Sequence, residues 1–242
     1  MFKVFRDSLL SLIYPSQCCA CDRLVENFDD GVACAICWQM TRLFDGSQML
    51  CAKCGAYFNE SSPNVNVFCR KCDEHHYDRA VAGGIYERAI SASINRLKSH
   101  PVVARRVADV LTSVWDRSGF QNADLIIPVP LSDKRRIERG FNQSEILGTV
   151  ISRRTGVEVD AHSLIRKIHT PIHRKAMDEK ARELSVRDAF EVVRPKLIAG
   201  KHIVLIDDVF TSGSTVSNCS KVLKKSGAAS VNVITLARAV KQ

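Results

Sequence analysis

The sequence predicts an α/β domain preceded by a small cysteine-rich unit, and three observations support this prediction. The 242 residues are 45% apolar and 25% charged, a composition typical of a globular chain with room for two units. Nine of the ten cysteines lie between residues 18 and 72. Two apolar runs, Lys201–Asp207 and Ser230–Arg238, flank a helical pattern at Ser214–Ser226. Strand, helix and strand in this order predict a parallel pair joined by a right-handed crossover.

Charge divides the chain at the same place as the cysteines do. Residues 1–78 hold 7 basic and 10 acidic side chains, whereas residues 79–242 hold 28 basic and 16 acidic ones. We therefore expect an N-terminal helix and cysteine-rich region over 1–78, followed by a basic α/β domain over 79–242. No window approaches the roughly 18 consecutive apolar residues that a membrane-spanning helix needs, so no membrane span is expected.

The cysteines form four C-x-x-C pairs, a spacing typical of metal-binding knuckles. The pairs are Cys18 and Cys21, Cys34 and Cys37, Cys51 and Cys54, and Cys69 and Cys72. Two residues between thiolates let both sulfurs face one cation from a tight turn, and tetrahedral Zn²⁺ takes four such ligands. Consecutive pairing predicts two structural Zn²⁺ sites of the zinc-ribbon type. Cross-braced pairing, first with third and second with fourth, is the alternative arrangement.

Disulfides and redox chemistry are the competing explanations for these cysteines. Apolar residues recur at helical spacing over residues 2–13, and charged side chains interrupt them, which predicts an amphipathic helix rather than a secretory signal. We therefore expect a cytoplasmic protein with reduced cysteines. Four pairs so close together also exceed what one redox pair requires. His75 and His76 follow the last pair as further candidate ligands, but we expect them at the solvated surface.

The remaining elements of the sheet are predicted after residue 78. Strand patterns occupy Asp78–Tyr86, Asp124–Pro128 and residues 157–159, and helical patterns occupy Ala89–Lys98, Val102–Trp115 and Phe141–Thr155. The run of polar residues over Leu131–Gly140 predicts a loop. Residues 166–188 predict a long basic loop, and loops of that length are usually functional or disordered. In such a sheet, ligands are expected at the carboxyl ends of the strands.

The strand at Lys201–Asp207 leads two adjacent acids into a hydroxyl-rich loop. Asp207 and Asp208 are followed by the candidate anion-binding residues Thr211, Ser212, Gly213, Ser214 and Thr215. Loop amides and a helix N-terminus bind anions, whereas carboxylates accept hydrogen bonds from neutral hydroxyls. The pattern therefore predicts a ribose 5-phosphate unit, with its hydroxyls on the acids and its phosphate on the loop. The plainer alternative is a strand that ends in two acids beside a capped helix.

Asp207–Thr215 resembles the signature by which type I phosphoribosyltransferases bind phosphoribosyl pyrophosphate (PRPP). With the four C-x-x-C pairs, Pro128–Leu131 and Arg139–Gln143, nearly the whole chain resembles the ComF/GntX family. Those proteins join a zinc-ribbon region to a phosphoribosyltransferase domain and are linked to DNA uptake in natural transformation or to DNA utilisation. The resemblance implies a type I phosphoribosyltransferase-like parallel sheet flanked by helices, preceded by a small double zinc ribbon.

The resemblance also implies roles for individual residues. Asp207 and Asp208 would be the catalytic, ribose-binding pair, and Thr211–Thr215 would hold the 5-phosphate of PRPP. The pyrophosphate-binding residues would be Leu131, Ser132 and Lys134, with Arg135 and Arg139 nearby. A flexible loop would contain Arg166, Lys167, Arg174 and Lys175. Mg²⁺ would bind together with PRPP, and a hood over 79–86 and 89–98 would meet the acceptor.

Two hypotheses about function follow. One is a PRPP-dependent transferase whose acceptor is unknown. The other is a non-catalytic adaptor for single-stranded DNA, which uses the PRPP site as a sensor and works with other competence or DNA-processing proteins. Residues 134–182 carry 12 basic and 6 acidic side chains, which suits a phosphate backbone, although pyrophosphate alone also requires cations.

Overall fold

The computed structural model describes residues 16–58, 67–167 and 189–240. The helices are α1 (Ala35–Gln39), α2 (Arg88–Leu97), α3 (Arg105–Ser118), α4 (Asp133–Arg139), α5 (Gln143–Thr155), α6 (Pro195–Ile198) and α7 (Ser214–Lys225), with 3₁₀ turns at Phe28–Asp30 and Arg70–Cys72. The strands are β1 (Ala80–Ala82), β2 (Leu125–Pro128), β3 (Glu158–Val159), β4 (Leu164–Arg166), β5 (Phe190–Val192), β6 (His202–Phe210) and β7 (Ser230–Arg238).

Five strands form one sheet in the order β1-β7-β6-β2-β3, and every neighbouring pair in it is parallel. Strands β4 and β5 form a separate antiparallel pair. Successive residues of β6 point to opposite faces, and its apolar residues from Ile203 to Ile206 are all fully buried. A parallel sheet buried on both faces confirms the predicted α/β class.

Helices cover the two faces of the sheet unequally. Helices α2, α3 and α5 pack on the face that carries Val204 and Ile206, whereas α7 packs on the face that carries Ile203 and Leu205. The β4–β5 pair contributes Leu164 to the second face. Within the described ranges, no helix combines the length and apolar content that crossing a bilayer requires.

The cysteine-rich region packs directly on this sheet. We call residues 16–39 the first ribbon, and residues 51–58 and 67–77 the second ribbon. The first ribbon shares a core with α2, α3 and Ile234, mainly through the buried Trp38. The second ribbon shares a core with the opposite face, mainly through the buried Tyr77. Each ribbon therefore covers a different face of the same sheet.

Several predicted element bounds were wrong. The predicted loop at Leu131–Gly140 contains helix α4, because the Ser132 side chain accepts the Arg135 N–H and Gly140 closes the helix with a φ of 73°. Strand β6 continues past Asp207 to Phe210, because Val209 and Phe210 remain paired with β7. Helix α3 begins at Arg105 rather than at Val102. The predicted helix over 2–13 lies outside the described residues.

Candidate functional site

The eight cysteine sulfurs form two clusters, and within each cluster all four lie less than 4.8 Å apart. The sulfur atoms of Cys18 and Cys37 lie 3.7 Å apart, those of Cys21 and Cys34 3.6 Å, those of Cys51 and Cys72 3.6 Å, and those of Cys54 and Cys69 3.4 Å. Four sulfurs placed tetrahedrally about 2.3 Å from Zn²⁺ lie about 3.8 Å from one another, whereas a disulfide would bring two of them to about 2 Å. Both clusters therefore fit Zn²⁺, and consecutive pairing is confirmed.

The surroundings of the second cluster act differently on its thiols, since burial raises the pKa of Cys54 to about 11 and also raises that of Cys72. Burial opposes ionisation of Cys51, but backbone N–H groups of Cys54 and Cys69 outweigh it and lower its pKa to about 6. The Arg238 guanidinium donates to the Cys54 carbonyl and lies 3.6 Å from the Cys54 sulfur. A cation on strand β7 therefore faces the metal cluster directly.

The two predicted ribose-binding acids lie side by side in β6. Asp207 is partly exposed and Asp208 is buried. Ser144 donates its hydroxyl to Asp207 at 3.0 Å, and Lys98 lies 3.8 Å from Asp208. Burial, together with the adjacent carboxylate of Asp208, raises the pKa of Asp207 to about 7. Asp207 also accepts the Asp208 N–H, and Asp208 accepts the Val209 N–H. Because each carboxylate can accept about four hydrogen bonds, the pair can still accept a ligand's hydroxyls.

The predicted phosphate loop connects β6 to α7. Thr211, Ser212, Ser214 and Thr215 are all exposed, whereas Gly213 is buried. Gly213 has a φ of 83°, and the Ser212 and Ser214 hydroxyls lie 2.9 Å apart. The loop thus presents four hydroxyl side chains at the N-terminus of a 12-residue helix, an arrangement that suits an anion.

The Arg139–Gln143 motif supports this pair of acids from the neighbouring helix. Arg139 donates to the Gln143 side chain at 2.7 Å, and the Gln143 amide lies 3.5 Å from Asp208. Asn142 caps the N-terminus of α5 and donates its side-chain amide to the Val129 carbonyl at 3.1 Å, which fixes the end of β2. The motif therefore connects the predicted pyrophosphate side to the ribose side through hydrogen bonds.

The predicted pyrophosphate residues lie at the start of α4. Leu131 and Ser132 precede the helix, and the exposed Lys134 and Arg135 lie in its first turn. Lys134 also lies 3.8 Å from Glu138, one turn later. These cations are therefore held on a helix rather than on the loop that the sequence predicted.

Two of the predicted flexible-loop residues belong to ordered structure. Arg166 ends β4, with its guanidinium 5.5 Å from the ring centre of Phe190, and Lys167 lies 3.3 Å from Glu191. The other two, Arg174 and Lys175, lie outside the described residues. Sequence reasoning missed Lys98, Gln143 and Ser144 as neighbours of the acids. Only Gln143 had a signal, its place in the motif.

The second ribbon meets the phosphate loop. The His75 ring accepts or donates a 2.6 Å hydrogen bond with the Tyr77 hydroxyl, and Tyr77 packs edge-on against Phe210. A methyl group added at Gly213 would lie 2.8 Å from the His75 ring. His75 is therefore half-buried against the loop, contrary to the predicted solvated position, while His76 is exposed. Neither histidine belongs to a cysteine cluster.

Fold and site together define a phosphoribosyltransferase-type domain joined to a region with two zinc-binding sites of four cysteines each. Residues 9–73 match the model of the double zinc ribbon domain, and residues 101–242 match that of the phosphoribosyl transferase domain. The chain is 30% identical to the DNA utilization protein YhgH of Shigella flexneri, over 85% of this chain and 89% of the relative. It is also 30% identical to Competence protein F of Haemophilus influenzae, over 78% and 84%. The chain therefore belongs to the ComF/GntX family.

Solved structures give only weak likenesses. The allosteric regulatory enzyme of purine biosynthesis matches 73% of this chain and 32% of its own, with a TM-score of 0.38 and 21% identity. A purine phosphoribosyltransferase from Pyrococcus horikoshii matches 55% and 72%, with a TM-score of 0.34 and 16% identity. Similarity at this level does not bear on ligand or reaction.

Proposed function

We propose that this protein binds PRPP together with Mg²⁺ and acts in DNA uptake or DNA utilisation, as a phosphoribosyltransferase of unknown acceptor. The observation that carries the proposal is the Asp207–Asp208 pair beside the hydroxyl loop Thr211–Thr215. The acids match the ribose hydroxyls of PRPP, and the loop with its helix N-terminus matches the 5-phosphate. The role in DNA metabolism is inferred from relatives named for DNA utilisation and competence.

The expected chemistry is loss of pyrophosphate from C1 of the ribose, with an acceptor taking its place. Positive charge develops on the ribose and negative charge on the leaving group, so catalysis depends mainly on charge stabilisation. Lys134 and Arg135 are exposed on α4, and in this proposal they would neutralise the departing pyrophosphate. Mg²⁺ bound to the pyrophosphate oxygens would add charge neutralisation. Asp207 and Asp208 would hold the ribose while the bond from C1 to pyrophosphate breaks and the bond from C1 to the acceptor forms.

Titration calorimetry with PRPP and Mg²⁺ tests this proposal. We expect saturable binding to the wild-type chain and loss of about tenfold or more in affinity for Asp207→Asn/Asp208→Asn, because two hydrogen bonds to charged acceptors are weakened. Arg153→Ala/Lys225→Ala serves as a control, since both residues are exposed and lie elsewhere on the domain. Equal affinity of the wild type and the Asp207/Asp208 variant would refute the proposed site.

The adaptor hypothesis also has an observation in its favour. Helix α4 has no buried residue, and Ile137 is 82% exposed among the cations Lys134, Arg135 and Arg136. An exposed apolar side chain within a basic helix suits a single-stranded nucleic acid, which offers both phosphates and base faces. A pyrophosphate-release assay, with and without single-stranded DNA, separates the two functions. Salt-sensitive DNA binding without any pyrophosphate release would favour the adaptor.

A further inference from the structure

A cleft of about 650 Å³ separates the second ribbon from the carboxyl ends of β6 and β7. On one side it is lined by Tyr57, Phe58, Arg70 and Lys71 of the second ribbon, and on the other by Thr211 and Ser212 of the phosphate loop. Its volume lies within the roughly 300–1,000 Å³ of sites that enclose small molecules. The cleft adjoins the site already described, but neither Asp207 nor Asp208 lines it.

The charge in this cleft favours an anion. The described residues that line it include Arg70, Lys71, His75 and Arg238 and no carboxylate. A zinc ion held by four thiolates carries a formal charge of about −2. Two nearby cations, Arg238 and Lys53, already contact groups of this ribbon. Arg238 faces Cys54, and Lys53 donates to the His75 carbonyl at 2.9 Å.

Arg70 and Lys71 supply the surplus positive charge. Both are exposed at the tip of the knuckle between Cys69 and Cys72. Among the described residues, neither has an ion-pair or side-chain hydrogen-bond partner. Unpaired cations at the mouth of an acid-free cleft are suited to a phosphate group, which accepts several charge-assisted hydrogen bonds.

The cleft also offers surfaces for a planar ring. Tyr57 and Phe58 are both partly exposed. Tyr57 is stacked on Phe44, with ring centres 6.2 Å apart and planes within 10° of each other. This contact fixes the orientation of the Tyr57 ring. Aromatic side chains stack on nucleobases of any identity, because every base has a π-face.

We infer that this cleft binds a nucleotide unit, with its base against Tyr57 and Phe58 and its phosphate against Arg70 and Lys71. Because Thr211 and Ser212 line the cleft and also belong to the phosphate loop, the nucleotide would lie beside PRPP. The second ribbon would thus take the part that the family resemblance implies for a hood at 79–86 and 89–98. The position beside PRPP rests on the proposed function, whereas nucleotide binding itself does not.

Titration calorimetry of the full-length protein with thymidine monophosphate, with a thymidylate hexamer and with PRPP tests the inference. We expect Arg70→Ala/Lys71→Ala to weaken both thymidylate probes about tenfold or more, since two charge-assisted contacts are lost, while PRPP affinity stays unchanged. Asp207→Asn/Asp208→Asn should show the opposite pattern. Tyr57→Leu, which keeps an apolar contact with Phe44, should weaken the thymidylate probes alone. Zinc content and thermal unfolding show that each variant is folded.

The outcomes separate this inference from the proposed function. Tighter binding of the hexamer than of the mononucleotide, with the same dependence on Arg70 and Lys71, would identify a nucleic acid strand as the source of the nucleotide. Equal affinity for the hexamer and the mononucleotide would identify a free nucleotide as the ligand. Failure of PRPP to bind counts against the proposed function only. The inference is overturned if Arg70→Ala/Lys71→Ala binds both thymidylate probes as the wild type does, or if the wild type binds neither.

Discussion

The two ribbons share one metal chemistry but have different surroundings. In the first ribbon, the knuckle between Cys34 and Cys37 contains Ala35 and Ile36, and the chain continues into Trp38, which is buried on α2 and α3. In the second ribbon, the corresponding knuckle contains Arg70 and Lys71 and borders a cleft beside the phosphate loop. The first ribbon is thus built for packing, whereas the second combines packing with an exposed cationic edge.

The comparison shows that a structural metal site can carry function through its neighbours. Both clusters consist of four thiolates and leave no open position for a substrate on the metal. What differs is the residue types between and after the cysteines. Tyr77, His75 and Arg238 connect the second cluster to Phe210 and Gly213, and so to the predicted phosphate site.

The largest expected effect comes from removing one ligand of each cluster in turn. Cys34→Ser and Cys69→Ser should each lower the zinc content by about one ion, since a structural site requires its four ligands. Both should unfold at lower temperature. Only Cys69→Ser should also lose PRPP affinity, because its ribbon contacts the phosphate loop. Metal analysis and calorimetry check this, and equal PRPP affinity in the two folded variants would contradict the comparison.

The next effect concerns the contact between the second ribbon and the loop. A Cβ atom at Gly213 would lie 2.6 Å from the Phe210 ring and 2.8 Å from the His75 ring, at a φ of 83°. Gly213→Ala should therefore lower the free energy of unfolding by about 2–4 kcal/mol and weaken PRPP binding. Gly156→Ala is the matched control, since its φ is 78° but no atom lies within 4 Å. Equal losses of unfolding free energy in the two variants, measured by urea unfolding, would contradict the claim that the Phe210 and His75 rings crowd this position.

A pH dependence follows from the acid pair. The pKa of Asp207 is raised to about 7, against about 3.9 in an unfolded chain. Between these values the folded state holds more protons, so this residue lowers stability as pH rises from about 4 to 7. Asp207→Asn should therefore be about 1–3 kcal/mol more stable than the wild type at pH 8. The gain should shrink toward pH 4, as measured by urea unfolding, and a gain that is independent of pH would contradict this account.

The smallest expected effect is a difference in stability between variants of two arginines, one beside each ribbon. Arg106 lies 5.5 Å from the Trp38 ring centre and 3.5 Å from Asp30, with about half of its side chain exposed. Arg238 lies 4.4 Å from the Phe210 ring centre and also contacts Cys54. Arg238→Gln should cost about 1–2 kcal/mol and Arg106→Gln less than about 1 kcal/mol. The reverse order in urea unfolding would mean that the first ribbon is the more tightly connected one.

Local patterns in the sequence were enough to predict the two cysteine clusters and the central strand. The C-x-x-C spacing predicted two four-sulfur clusters because each pair is confined to one turn, and Lys201–Asp207 predicted the central strand because its apolar residues are continuous. Helix α4 was missed although Ser132 and Gly140 are ordinary helix caps, because the polar residues between them suggested a loop.

Contacts between distant segments could not be predicted. Lys98, directly after α2, reaches Asp208 although it lies 110 positions earlier in the chain, and nothing in its local sequence indicates this. The position of His75 against Gly213 depends on how the second ribbon packs on β6 and β7. Such contacts result from the packing of the whole sheet, which residue spacing alone does not encode.

Hydrogen exchange measured with and without PRPP and Mg²⁺ tests most directly the central claim that the second ribbon, unlike the first, belongs to the ligand site. We expect slower exchange in Thr211–Ser217 and in the second ribbon from Arg70 to Tyr77, because ligand binding stabilises the loop and its contacts. The first ribbon from Cys18 to Cys37 should exchange as before. Protection of Thr211–Ser217 that leaves the second ribbon unchanged, or equal protection of both ribbons, would contradict the account.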